Sequence, residues 1–307
     1  MLFTFLGPHP GHNVDENGHV HGKACQGSFF NDPLLLIQPE TSYMPQLPVI
    51  SGLIDRRILV NYRIDPSCAA KALPAPFRPR LHNGFAVGGV CLIRFQGLRP
   101  RGLPEAFGLS SENAAYRIAV EWDEAGATRV GVFIPRRDTD SRLNALAGGR
   151  LFPGQFQHAH FRVSEGDGRY SVEVGHGGRA PHILFNGQDC DAYPATSIFG
   201  SLEEAAAFVA EGAMGYSPHR RDGFHEGMEL RLLDWHMSPL NIETAYVQLF
   251  EDSTGFPSGS CEIDSATVMK QLKHEWHGMP SLGCDQIKKR RATHCCEWRA
   301  RNRFIVG

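Results

Sequence analysis

The segment Gly131-Val-Phe-Ile-Pro-Arg-Arg-Asp-Thr-Asp-Ser-Arg-Leu-Asn-Ala-Leu-Ala-Gly-Gly-Arg-Leu-Phe-Pro-Gly154 carries the signals that decide the fold. Its apolar start predicts a buried strand, and the triplet Arg136-Arg137-Asp138 predicts a charged turn. A short helix is expected next, with Asp138 or Asp140 as its N-cap and Gly148-Gly149 at its end. A strand, turn and capped helix in this order place polar groups at the mouth of a sheet or barrel. The triplet is interpreted either as an anion-facing rim or as a solvated loop with a local Arg–Asp pair.

Length and composition are those of an ordinary globular protein. The chain has 307 residues, of which 42% are hydrophobic and 21% charged, with a formal net charge of −2. This charge gives no general reason to expect nucleic acid or a membrane as partner, and no apolar run approaches the roughly 20 residues of a membrane span. The start Met1-Leu-Phe-Thr-Phe-Leu6 lacks the basic region of a secretory signal. We therefore expect a cytoplasmic protein, with its eight scattered cysteines reduced.

Composition divides the chain into three parts. Residues 1–51 lack periodicity and are expected to form a poorly ordered extension; their histidines and Cys25 match no defined metal site. Residues 52–255 contain about ten short strands separated by turn residues, which is typical of an antiparallel barrel. Residues 256–307 are expected to be a partly helical (Val268–His274) or disordered extension with a basic end. Nucleic-acid binding by that end is not expected, because it contains few aromatic residues.

Several elements carry their own boundary signals. Arg57–Ile64 alternates as a strand that places Ile58, Val60 and Tyr62 on one face and Arg57 on the other. Asp65 followed by proline predicts the start of a helix. Ser201 with a glutamate three residues later predicts the start of a second helix, which glycine ends.

The most informative feature of the core is a missing residue type. No lysine lies between Lys71 and Lys270, although residues 52–255 contain twenty arginines. Schiff-base catalysis needs a primary amine, and arginine cannot replace it because it neither deprotonates nor condenses usefully. A solvent-facing helix position is expected for Lys71. The sequence also lacks the common nucleotide-binding, zinc-protease and serine-hydrolase motifs.

Glu112 is the carboxylate best placed for acid–base chemistry, because it enters a strand from a polar turn; a capping role is the alternative. Other candidate carboxylates are Glu121, Asp138 and Asp140. His158 and His160 share a strand face, but no third metal ligand is apparent, so no metal site is predicted. The arginines that could clamp a carboxylate or phosphate are Arg56, Arg57, Arg63, Arg136, Arg137 and Arg150.

Part of the chain resembles acetoacetate decarboxylase. The likeness starts at Asn61-Tyr-Arg-Ile-Asp-Pro66 and Ala72-Leu-Pro-Ala-Pro-Phe77 and continues to Met237-Ser-Pro-Leu-Asn241. Arg117-Ile-Ala-Val-Glu-Trp122 and Ile134-Pro-Arg-Arg-Asp-Thr-Asp-Ser-Arg-Leu-Asn144 look more closely like the uncharacterised YqjF-like branch of the same superfamily. The resemblance implies an α+β, mainly antiparallel β fold, a cone-shaped β-barrel with a few outer helices.

The resemblance also implies site residues, and it shows one departure. In the decarboxylase a lysine that follows a proline forms an imine with the substrate, whereas here Pro153 is followed by Gly154. Glu112 falls near the catalytic glutamate of the decarboxylase, and Arg56 or Arg57 near its substrate-binding arginine. Decarboxylase activity is therefore not expected.

The sequence favours a protein that binds a small anionic organic molecule in the barrel and needs no cofactor. The ligand-binding candidates are Arg56, Arg57, Arg136 and Arg150, and Glu112 is the catalytic candidate. Two alternatives remain open at this point. One is a structural or interaction protein with a vestigial pocket, and the other is a lysine-independent lyase or hydrolase acting on an oxo-acid.

Overall fold

The computed structural model describes residues 48–147, 154–219, 223–233, 235–253 and 255–283. The strands within these ranges are β1 (Ile50–Ile64), β2 (Arg78–Pro79), β3 (Leu81–His82), β4 (Phe85–Pro100), β5 (Leu109–Glu124), β6 (Ala127–Phe133), β7 (Arg137–Thr139), β8 (Phe156–His158), β9 (His160–Gly166), β10 (Arg169–Gly175), β11 (Ile183–Asp189), β12 (Met214–Pro218), β13 (Phe224–Leu232), β14 (Ser238–Val247) and β15 (Cys261–Gly283). The helices are α1 (Pro66–Ala72), α2 (Arg142–Ala147), α3 (Leu202–Glu211) and α4 (Gln248–Glu251), with a 3-10 turn at Glu105–Phe107.

Seven strands form a closed ring. Their order is β1, β4, β5, β6, β12, β13 and β15, and β15 pairs again with β1. The β1–β15 pairing is antiparallel and runs from Ile50↔Trp276 to Ile64↔Cys261. Only the short contact of β6 with β12 is parallel among the pairings of this ring. Closing the sheet removes its edges and separates an interior from an exterior.

A second layer of strands covers part of the outside of the ring. β14 pairs with β15, and β11, β10 and β9 follow in order. Val172 and Phe185 of this layer share one buried cluster with Ile58, Val60 and Tyr62 of β1. The face of β1 that the sequence predicts to be apolar is therefore the outer face. Arg57 and Leu59, at the alternate positions, belong to the interior of the ring.

Two predicted helix starts are confirmed. The Asp65 carboxylate accepts hydrogen bonds from the backbone N–H groups of Ser67 and Cys68 at the start of α1. The Ser201 hydroxyl accepts from the N–H of Glu204, 3.2 Å away, at the start of α3. Each side chain satisfies donors that the first helical turn leaves without an intrahelical acceptor.

The segment from Gly131 to Gly154 differs from the prediction after its first strand. Arg137–Thr139 is not a turn but the strand β7, because it pairs with β5 on one side and β8 on the other. The expected cap residues have other partners: the Asp138 carboxylate is bonded to Arg136 and His182, and the Asp140 carboxylate accepts from the backbone N–H of Glu112. The Ser141 hydroxyl instead accepts from the N–H of Asn144, 3.2 Å away. The predicted helix end at 148–149 lies outside the described residues.

The helix expected over Val268–His274 is wrong, because these residues lie in the middle of β15. The run from Asp264 to Met269 is buried on both faces and includes the polar residues Asp264, Ser265 and Thr267, so its sequence lacks the alternation of apolar and polar residues that marks a half-buried strand. The segment after residue 255, interpreted from sequence as an extension, therefore supplies the strand that closes the ring. The basic end beyond residue 283 and the extension before residue 48 lie outside the described residues.

Each helix of the described chain falls short of the length and apolar character that a bilayer crossing requires.

His274 makes the stability of the ring dependent on pH. It lies opposite Gly52 in the β1–β15 pairing, is 2% exposed, and burial lowers its pKa to about 4. The His274 imidazole has a pKa near 6.5 in the unfolded chain. Below that pH it binds a proton in the unfolded chain, whereas in the folded chain it stays neutral down to about pH 4. Stability is therefore lost as the pH falls through this window.

We predict that the free energy of unfolding falls by about 2 kcal/mol more in the wild type than in His274→Phe between pH 7 and pH 4.5. The aromatic replacement suits the neighbouring rings of Phe95 and Trp276 and removes the titrating group. Urea unfolding at the two pH values measures the difference. Equal losses in the two proteins would contradict the assignment.

Candidate functional site

A cavity of ≈ 580 Å³ lies inside the ring and receives residues from all seven of its strands. Most of its surface is apolar. The apolar side chains include Ile54, Ile93, Met228, Leu230, Trp235, Met269 and Trp276, and α3 adds Phe208 and Val209. A chamber of this size with an apolar wall and a few polar groups is typical of a small-molecule site.

Five arginines and one carboxylate supply the charged lining of the cavity: Arg57, Arg80, Arg117, Arg137, Arg231 and Glu229. Two of the arginines are neutralised. Arg231 Nη2 lies 2.7 Å from Glu229, and Arg80 forms an ion pair with Glu211. The other three have no carboxylate within salt-bridge distance among the described residues.

Those three arginines make only neutral contacts within the described chain. Arg57 Nη2 lies 4.0 Å from the sulfur of Cys91, which is a weak hydrogen bond at most. Arg117, 6% exposed, donates to Asn61 Oδ1, and its Nε has no partner. Arg137, 5% exposed, donates to the hydroxyl of Ser217. Arg117 and Arg137 are buried, whereas Arg57 is half-buried, and a buried positive charge that is not bonded to a carboxylate carries a large desolvation cost.

The desolvation cost of Arg137 is reflected in a lowered pKa. Burial lowers the pKa of Arg137 to about 10, and the nearby negative charge of Glu226 opposes the shift. Glu226 itself accepts from the backbone N–H of Gly154, at 2.8 Å, and lies 3.4 Å from His219 Nε2. With a pKa of about 10, Arg137 remains a cation at neutral pH.

Strand alternation places these arginines in the ring. Arg137 pairs with Ala115 of β5, and Arg117 is two residues further along the same face. Arg117 lies opposite Gly89 of β4, where a Cβ would collide with the carbonyl oxygen of Val60. The backbone of Val60 therefore approaches Gly89 closely, and no side chain at position 89 lies opposite Arg117.

Gly154, at the position where the resemblance implies a lysine in the decarboxylase, lies against the interior arginine Arg137. Its φ of +84° is in the region that favours glycine. A Cβ at this position would overlap Arg137 Nη1 and approach Ser217 Cβ to 2.8 Å. A side chain at 154 and the observed position of Arg137 exclude each other.

Glu112 and Arg56 lie on the outer face of the ring. Arg56, Arg94 and Glu112 are cross-strand neighbours on β1, β4 and β5. The Glu112 carboxylate accepts from Arg56 Nη2 and from Arg94 Nε, each at 2.5 Å. Arg56, 2% exposed, also donates to Glu165 of β9 at 2.6 Å. This ion network joins the ring to the second layer, and neither Arg56 nor Glu112 lines the cavity.

Arg136 takes part in a third cluster, also on the outer face. Its Nε donates to Asp138 at 2.9 Å, and its Nη2 lies 2.8 Å from His176 Nε2. His182 Nε2 lies 2.8 Å from the other oxygen of Asp138. Burial acts to raise the pKa of Asp138, but His182 and Arg136 outweigh it and the pKa is lowered.

The donor atoms of Asp138, His176 and His182 lie within 4.8 Å of one another, which is close enough for a single metal ion. The guanidinium of Arg136 already supplies the positive charge among them. His158 and His160 lie with ring centroids 5.6 Å apart and are not part of this set.

The structure thus distributes the predicted site residues over separate places. Arg57 lines the cavity, Arg56 and Glu112 lie in the outer ion network, and Arg136 lies in the Asp138 cluster. Arg150 lies outside the described residues. Arg117 was not singled out from the sequence, although an arginine that alternates with Tyr116 and Ile118 in an apolar strand is itself a signal of a buried polar site.

Three solved structures show the same fold at low sequence identity. They are acetoacetate decarboxylase from Legionella pneumophila (13% identity, TM-score 0.50, 75% of this chain and 86% of that one) and an acetoacetate decarboxylase-like enzyme from Sphingomonas wittichii RW1 (13%, 0.50, 77% and 94%). The third is the enduracididine biosynthesis enzyme MppR with HEPES buffer bound (14%, 0.50, 86% and 99%). The chain has an acetoacetate decarboxylase-like fold, and the predicted α+β, mainly antiparallel β class is confirmed.

Within this fold the chain belongs to an uncharacterised branch. Residues 54–262 match DUF2071, described as "Uncharacterized conserved protein (COG2071)", and the chain is a member of that family. The predicted YqjF-like membership is thereby confirmed. No curated protein matches the sequence.

The neighbouring residues Arg56 and Arg57 offer a direct test of the two environments. We predict that Arg56→Met lowers the free energy of unfolding by about 3 to 5 kcal/mol, because Glu112 and Glu165 lose their buried partner. Arg57→Met is expected to be neutral or stabilising, because it removes a cation that no carboxylate of the described chain neutralises.

Urea unfolding at pH 7 measures both variants. Exposed Arg162 on β9 provides the control, since its replacement by methionine should change stability by less than about 1 kcal/mol. A loss in Arg57→Met as large as in Arg56→Met would show that Arg57 has a structural partner.

Proposed function

We propose that this protein binds a small organic anion inside the ring and that Arg57, Arg117 and Arg137 hold its charged group. The observation that carries the proposal is the set of three guanidinium groups in one cavity without a carboxylate partner among the described residues. An isolated buried cation is costly, and an anionic ligand would offset that cost. Guanidinium groups also match a carboxylate or phosphate through paired N–H donors.

The rest of the ligand is proposed to be apolar. Two tryptophans, two methionines and several branched aliphatic side chains form most of the wall. Burial of apolar surface against such a wall contributes roughly 25 cal/mol per Å². We therefore propose a carboxylic acid with an aliphatic or aromatic body rather than a small, fully polar acid.

We further propose that imine chemistry has no part in this function. The proposal is supported by Gly154, by the overlap of any side chain there with Arg137, and by the cavity lining, in which no described residue is a lysine. Lys71 is exposed on α1, and Lys270 lies beside Asp189 and Tyr170. A primary amine is what Schiff-base formation requires.

A catalytic role for Glu112 stays a prediction. Its carboxylate is bonded to Arg56 and Arg94 on the face of β5 away from the cavity, so binding in the ring does not require it. A structural protein with a vestigial pocket is the competing function, and ligand binding separates the two.

The test uses octanoate as the probe, with octanamide as its uncharged counterpart. Octanoate at 100 times its dissociation constant should stabilise the protein by about 2.7 kcal/mol, seen as a raised melting temperature, since it binds the folded state alone. Octanamide, which offers no negative charge to the arginines, should bind at least about tenfold more weakly.

The variants Arg57→Met and Arg117→Met should lose the preference for octanoate over octanamide, whereas Arg162→Met should keep it. Isothermal titration calorimetry measures the affinities directly. If octanoate and a panel of aromatic acids leave the melting temperature unchanged, the cavity does not bind organic acids and the structural alternative gains support.

A further inference from the structure

Cys91 brings a nucleophilic atom into the same cavity as the three arginines. It lies on β4 and is 4% exposed, and its side chain lines the cavity. In the ring it stands between Leu59 of β1 and Ala115 of β5, and Ala115 in turn pairs with Arg137. The sulfur therefore lies in the cross-strand row next to the positive charges.

The surroundings of Cys91 favour an anionic reaction partner. Arg57 Nη2 lies 4.0 Å from the sulfur, so an anion bound by this arginine would be held beside the thiol. Arg117 independently indicates a ligand, because it is a buried cation whose Nε has no partner among the described residues. An anion seated on these arginines would have its neighbouring carbon atoms near the sulfur.

Two other described cysteines, Cys190 and Cys261, have different environments. Burial raises the pKa of Cys261 to about 12, which makes it a poor nucleophile at neutral pH. Cys190 is only partly buried, and its sulfur lies 3.4 Å from the carbonyl oxygen of Ala192. Neither Cys190 nor Cys261 lines the cavity, so Cys190 can report the reactivity of an ordinary thiol in the same molecule.

We infer that Cys91 is a covalent attachment site for organic acids that carry an electrophilic carbon next to the carboxylate. This inference rests on the anion-binding function proposed above. The thiol releases its proton to solvent, and the sulfur electron pair forms a bond to the electrophilic carbon. The bond from that carbon to its leaving group breaks, and the leaving group departs with the electron pair. The product is a thioether whose carboxylate stays on the arginines.

Iodoacetate and iodoacetamide form a matched pair of probes, because they share the reacting carbon and the iodide leaving group and differ in charge. An ordinary thiolate repels the anionic reagent, so Cys190 should favour the amide. A positively charged cleft raises the local concentration of anions. We expect the ratio of iodoacetate to iodoacetamide rates to be at least about tenfold higher at Cys91 than at Cys190.

Peptide mass spectrometry of the intact, folded protein, quenched at successive times, gives both rates at each cysteine. Arg57→Met should lower the ratio at Cys91 towards that of Cys190. Octanoate should protect Cys91 from both reagents and leave Cys190 unaffected.

The outcomes separate this inference from the function on which it rests. If octanoate binds and Cys91 stays unmodified, or reacts with the same ratio as Cys190, the covalent site is overturned and anion binding stands. If octanoate does not bind and Cys91 reacts equally with or without it, the anion-binding function fails and the inference fails with it.

Discussion

The antiparallel pairing of β1 with β15 is the constraint on which the rest of the structure depends. It joins the first and last described strands over residues 50–64 and 261–276, and it closes seven strands into a ring. Once the ring is closed, successive side chains of its strands face alternately the interior and the outside, and the second layer covers part of that outside. The two adjacent arginine pairs, Arg56-Arg57 and Arg136-Arg137, are split by this alternation, one member to each side.

Arginine side chains have different partners on the outer and inner faces of the ring. On the outside, Arg56 and Arg136 meet carboxylates at 2.5 to 2.9 Å, and the Arg56–Glu165 pair joins the ring to the layer that covers part of it. Inside, the hydrogen-bond partners of Arg57 and Arg137 among the described residues are a thiol and a hydroxyl, and Arg137 also lies over the ring of Phe156. Loss of an outer arginine would leave its carboxylates without that partner, whereas the inner arginines are not bonded to a carboxylate of the described chain. The proposed organic acid would offset the cost of that arrangement.

The local elements could be predicted from the sequence because their signals are local. The alternation in Arg57–Ile64 and the caps at Asp65 and Ser201 each depend on neighbours within a few residues. β15 was misassigned because a run buried on both faces has no periodicity, and its partner β1 lies some 200 residues away. The convergence of Arg57, Arg117 and Arg137 depends on such long-range pairing, so only the presence of suitable arginines could be predicted.

The most direct test of the account is a crystal structure with 8-bromooctanoate, in which the bromine marks the apolar end by anomalous scattering. The account predicts a bromine peak inside the ring near the tryptophans, and a carboxylate bonded to at least two of Arg57, Arg117 and Arg137. It is contradicted if the peak lies outside the ring, or if each of these arginines already faces a carboxylate of the chain itself.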